Sequence, residues 1–122
     1  MTDFWTVNQH VYGWNGSQYN SVQVIETVSS GNIQKVSMTE DEDHEYLTIC
    51  AEGIGYVYRL NPTTKIYDKI QTITNGDVSF MSVTDDTRRL IISTRNGYGY
   101  TVTYTGLENN AFTVEQSIVS GL

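Results

Sequence analysis

The sequence predicts an all-β fold, and three observations lead there. Val, Ile, Thr and Tyr dominate the regular segments, those segments alternate apolar and polar residues with the period of two of a half-buried strand, and no usable window carries a helical period. The pattern also repeats. Residues 27–31 read TVSSG, 72–76 read TITNG and 117–121 read SIVSG, so Gly31, Gly76 and Gly121 stand 45 residues apart. An alternating segment precedes each glycine: VQVIETV at 22–28, YDKIQTI at 67–73 and FTVEQSI at 112–118.

Taken in order, the chain opens with a partial unit over residues 1–30. At the offset of 45, FWTVNQ matches the second strand of the later units, HVYGW the third and VQVIETV the fourth, and the innermost strand of this three-stranded unit would precede Met1. Residues 31–75 and 76–122 each read as a complete four-stranded unit. The first runs IQKVSM, the acidic turn EDEDHE, YLTICAEG, YVYRL, the turn NPTTK and YDKIQTI. The second runs VSFMSV, DDTRR, LIISTRNG, YTVTY, the turn TGLENN and FTVEQSI. Gly53 and Gly55 recur 44 residues later as Gly97 and Gly99, each pair in a tight G-x-G-Y connection where positive φ or a close backbone approach suits glycine. Asn, Pro, Thr and Gly supply the turn chemistry between the third and fourth strands.

Composition narrows the function classes. A chain of 122 residues builds one core at most. Seven basic residues against 14 acidic ones leave a formal charge of −7, which opposes binding to nucleic-acid phosphates or anionic membrane surfaces. No stretch reaches the roughly 18 apolar residues of a membrane helix, so membrane insertion is not expected, and the N-terminus lacks the basic start and apolar core of a signal peptide. One cysteine and two histidines exclude a disulfide staple and a Cys/His zinc site. No cofactor is expected.

A four-stranded unit of 40–45 residues, repeated, resembles a β-propeller blade. VSMTEDED, YLTICAEG and YVYRLN in one unit, and FMSVTDDT, LIISTRNG and YTVTY in the next, follow the feature order of WD40-like repeats. Tyr58-Arg59 and Thr103-Tyr104 stand where the Trp-Asp pair of that family would be, so the chain resembles a degenerate WD40-like or integrin-type (FG-GAP-like) propeller. The resemblance implies four-stranded antiparallel blades, about two and two-thirds of them, incomplete without further chain or other copies. Exposed strand edges and an uncovered blade face call for such completion.

Several residues are candidates for function. Asp41, Asp43 and Glu45 alternate as carboxylate ligands of a calcium site do, and FG-GAP-like propellers carry calcium on a D-x-D-x-D-G loop; the glycine of that loop is missing here, and a solvated acidic turn is the competing reading. The resemblance also implies an interaction rim at the turns after second and fourth strands, which would carry Asn8, His10, Glu52, Arg95, Asn96 and Tyr98, with Asn32 and Asp77 beside them. Asn15-Gly16-Ser17 is an N-glycosylation sequon, which tilts the expected location toward the cell surface or exterior. Cys50, inside an apolar strand, reads as a packed residue rather than a nucleophile.

The function expected is that of a non-catalytic β-propeller-type interaction or structural module, whose partner is another protein or further copies of itself. The alternative is a cell-surface or secreted propeller that binds glycan or calcium through its turns. Neither a nucleophile elbow nor a metalloprotease motif is present, so an enzyme ranks last.

Overall fold

The computed structural model describes residues 8–14, 16–26, 33–74, 76–96, 99–109 and 111–121. Ten strands run through them: β1 (Asn8–Trp14), β2 (Tyr19–Glu26), β3 (Ile33–Glu40), β4 (Glu45–Ala51), β5 (Ile54–Leu60), β6 (Tyr67–Ile73), β7 (Asp77–Val83), β8 (Arg89–Asn96), β9 (Gly99–Glu108) and β10 (Ala111–Gly121). None of the described residues is helical, so among them no helix is long and apolar enough to cross a membrane. β1 and β2 form a hairpin; β3-β4-β5-β6 and β7-β8-β9-β10 form two four-stranded antiparallel sheets, each a simple meander. The all-β expectation holds.

Local chemistry sets where each strand stops. Between β4 and β5 the pair Ala51–Ile54 closes on the two residues Glu52 and Gly53, whose φ angles of 54° and 77° are both positive, as a type I′ hairpin turn requires. Gly55 serves differently. A Cβ there would come within 2.6 Å of the Met81 sulfur, so its bare backbone lets β5 approach β7. Between β5 and β6 the Asn61 side-chain oxygen accepts from the Thr63 and Thr64 amides at 2.9 and 3.2 Å, an Asx turn that Pro62 pre-sets through its fixed φ. The β7–β8 connection closes with the Thr84 amide donating to the Arg89 carbonyl at 2.8 Å.

The two four-stranded sheets pack face to face, with β7 lying against β3, β4 and β5. Between them Tyr46, Cys50 and Val57 of the first sheet meet Val78, Met81, Val83, Leu90, Ile92 and Phe112 of the second. Each fully buried aliphatic side chain of this size contributes roughly 1.5–3 kcal/mol. The opposite face of the first sheet buries a second cluster, which includes Leu47, Ile49, Ala51, Tyr56 and Tyr58. β4 is thus buried on both faces, and its sequence EYLTICA is accordingly an almost unbroken apolar run.

Polar contacts tie the sheets together at residues one repeat apart. The Ser37 and Ser82 hydroxyls lie 3.2 Å apart, Thr39 donates to the Val83 carbonyl at 2.8 Å, and Thr87 donates to the Asp41 carboxylate at 2.7 Å. Gln71 of β6 adds a two-point clamp on the backbone of Phe112, donating to its carbonyl at 2.9 Å and accepting from its amide at 3.1 Å.

The pairing of strands repeats as well. Tyr46–Arg59, Thr48–Val57 and Ala51–Ile54 across β4 and β5 have their counterparts, 45 residues on, in Ile91–Tyr104, Ser93–Val102 and Asn96–Gly99 across β8 and β9. Tyr46, Thr48 and Val57 face the second sheet. Because side chains alternate faces along a strand and Leu90 and Ile92 point toward the first sheet, Ile91 and Ser93 point away from it, together with their partners Tyr104 and Val102.

Candidate functional site

One cleft gathers part of the expected rim. The Glu52-Gly53 turn is held against the start of β7 by the Val78 amide, which donates to the Gly53 carbonyl at 2.9 Å. Around that junction lies a cleft of about 540 Å³ lined by Glu52, Asp77 and Arg95, with Lys35, Gln34 and Ser79. Asp77 and Arg95 are directly paired across β7 and β8, so both strands bring a charged residue to this cleft. The cleft is therefore mixed in charge, with both cations and both carboxylates on exposed side chains.

The remaining rim residues fall elsewhere. Asn8 and His10, expected on a turn, lie within β1, paired with Glu26 and Val24; a register shift between Val11 and Tyr12 absorbs the irregularity, and pairing continues to Asn8. Asn96 ends β8 opposite Gly99. Tyr98, Asn32 and the sequon residue Asn15 lie outside the described residues, as do Gly31, Gly97 and most of FWTVNQ.

The acidic turn between β3 and β4 is organised around its own backbone. One Asp41 oxygen accepts from the Asp43 and His44 amides, both at 2.7 Å, and the other accepts the Thr87 hydroxyl at 2.7 Å. The Thr87 hydroxyl, followed by the Asp43 amide, holds the Asp41 carboxyl down to about 2. His44 Nδ1 lies 3.3 Å from the same carboxylate, an ion contact when the imidazole is protonated. Glu45 turns to the Tyr67 hydroxyl, and burial together with the neighbouring Glu40 raises its carboxyl above the usual range. The Asp41 and Glu45 carboxylates thus serve separate partners, and among the described residues no group of three or more His, Cys, Asp or Glu is placed to hold a metal ion.

The β7–β8 turn uses the same device. Asp86 accepts from the Arg88 amide at 3.0 Å and from the Thr84 hydroxyl at 2.6 Å, the latter being the main cause of its lowered carboxyl pKa. The two turns enclose a cleft of about 480 Å³ that also reaches Arg88, Arg89 and Glu115. Arg89 and Glu115 close one wall with an ion pair at 3.1 Å.

A third groove, of about 490 Å³, opens where β6 diverges from the inner face of β8, β9 and β10. Thr72, Thr94, Thr101, Thr103, Thr105 and Ser117 line it, with Phe112 and Val114, and no charged side chain does. It offers hydroxyls over an apolar floor, a surface for neutral ligands. The alternation Thr101-Thr103-Thr105 was its signal in the sequence, since the period of two puts three hydroxyls on one face.

Cys50 lies between the sheets, 1% exposed, and burial pushes its thiol up to about 11. It stays protonated near neutrality, which fits the packed reading rather than a nucleophile. No protein-family model matches the chain, and no curated protein matches it.

Proposed function

We propose that the chain is a non-catalytic structural or interaction module of β-propeller type, whose sheets act as blades and which works by contact with other copies of itself or with further protein. The observation that carries this reading is the shared register of β4–β5 and β8–β9 at an offset of 45, combined with β3 and β7 lying together. Each blade of a propeller covers the next with one fixed face, and the two sheets here are related in that sense: the face by which the first meets the second reappears on the second, turned outward.

The test is the mass in solution of the 122-residue chain over a range of concentrations, by light scattering after size exclusion. Association into a discrete oligomer or a growing assembly is expected. A 13.8 kDa particle at every concentration, with no other protein retained, overturns the reading. The calcium alternative is tested by a melt: because Asp41 already spends both oxygens on protein donors, millimolar calcium is expected to leave the melting temperature unchanged. A rise with calcium would favour the turn-binding alternative.

A further inference from the structure

β10 is the longest strand and ends its sheet: β9 pairs with it on one side, and among the described residues no strand pairs with the other. From Thr113 to Ile118 it is exposed throughout, and Val114 reaches 70%. Native edges are usually blunted by proline, lysine or several charges. β10 has no proline and one charged residue, Glu115, which is tied to Arg89 at 3.1 Å.

Two contacts show which backbone groups face that open side. The Leu107 amide donates to the Arg88 carbonyl at 3.0 Å, on the β8 side of β9, so Leu107 turns away from its β10 partner Phe112. The Phe112 amide and carbonyl are likewise turned away from β9, and the Gln71 side chain takes both, at 3.1 and 2.9 Å. A side-chain amide here does for Phe112 what one residue of an added strand would do. Along β9 the residues that face as Leu107 does are Thr105 and Thr103, whose partners are Val114 and Ser117. Their amides and carbonyls point to the open side as well, and the register shift between Val114 and Gln116 keeps that order. Among the described residues no hydrogen bond takes them.

Phe112, Val114 and Ser117 also put their side chains on the groove of about 490 Å³. Thr101, Thr103 and Thr105 belong to the same lining, which holds no charged side chain in a chain with 14 acidic and 7 basic residues. A segment laid along the open edge would bond to Val114 and Ser117 and send every second side chain toward this groove. Small hydroxyl or aliphatic groups suit it, whereas a charge there would lose water without gaining a partner. A second copy is the poorer occupant of this edge, because its β10 brings another Glu115 onto one short ribbon in a chain already carrying −7.

We infer that the open edge of β10 takes an extended, uncharged segment of a partner protein by strand addition, with backbone bonds at Val114 and Ser117 and alternate side chains in the threonine groove. The inference rests on the proposed interaction role and names its surface and the class of its partner.

Fluorescence anisotropy of the labelled peptide Lys-Thr-Val-Thr-Val-Thr-Lys, titrated with the 122-residue chain, tests this. Saturable binding to the wild type is expected, and none of a control peptide with prolines for its threonines, which lacks those donors. On adding the first peptide, the Val114 and Ser117 amides are expected to become protected from hydrogen exchange. Ser117→Pro is expected to weaken binding by about tenfold or more while the fold stands, because the amide it removes faces away from β9. Thr101→Lys, which leaves the edge intact and puts a charge in the groove, is expected to weaken binding by a similar factor. Circular dichroism checks that each variant remains folded. No saturable binding to the wild type overturns this site while leaving the proposed function to its own test of mass. Binding undiminished in both variants places the peptide elsewhere and overturns the site as well. Self-association of the wild type that Ser117→Pro abolishes gives the edge to a second copy and overturns the separate partner.

Discussion

Asp41 holds the β3–β4 turn to the β7–β8 turn through Thr87, and both of its oxygens are engaged. Its folded pKa of about 2 lies below the ordinary 3.8, so the contact contributes its full stability above the ordinary value and loses it as the pH falls toward 2. The melting temperature is therefore expected to fall between pH 4.5 and pH 2, less steeply in Thr87→Ala, whose Asp41 titrates nearer the ordinary value by carboxyl NMR. The tyrosine hydroxyls make an opposite case. Tyr56 is 1% exposed and its buried hydroxyl has no hydrogen-bond partner among the described residues, which leaves its desolvation cost without an offsetting bond there. Tyr56→Phe is expected to stabilise the protein by about 1 kcal/mol in urea unfolding.

At the scale of strands and turns, β6 is clamped to the second sheet by Gln71, which satisfies the amide and the carbonyl of Phe112 at once. Gln71→Leu keeps the volume and removes both bonds. A loss of about 1–3 kcal/mol in urea unfolding is expected, and no change would mean that water replaces the clamp without cost. Most strands were legible in the sequence because alternation and turn residues are local: Glu52-Gly53, Asn61-Pro62 and the acidic turn each end a strand by contacts within a few residues. What was not legible depends on partners far along the chain. Asp41, Asp43 and Glu45 read as three alternating carboxylates until Thr87 arrives to take one of them. Glu52, Asp77 and Arg95 were recognisable as turn-end residues, whereas their meeting with Lys35 comes from β3 and β7 lying together. Asn8 and His10 were set on a turn by the offset of 45, whereas pairing with β2 carries β1 on through His10 to Asn8.

For the whole molecule, the layer between the two sheets joins them into one unit. Leu90, fully buried, lies in that layer with Tyr46 and Val57 of the first sheet. Leu90→Ala is expected to cost about 2–5 kcal/mol, depending on how far the layer closes over the gap. Because the layer is shared, amide hydrogen exchange should quicken in β4 and β5 as well as in β8; acceleration confined to the second sheet would mean that the sheets open independently.

The same layer gives the protein an internal clock. Cys50 is its only thiol and lies in the seam, where a thiol reagent cannot touch it until the sheets part. When closing is fast compared with the reaction, labelling is slowed by the fraction of time the seam stands open, tenfold for each 1.4 kcal/mol that separates open from closed. One absorbance trace from an unmodified chain therefore reads out how often the two halves come apart.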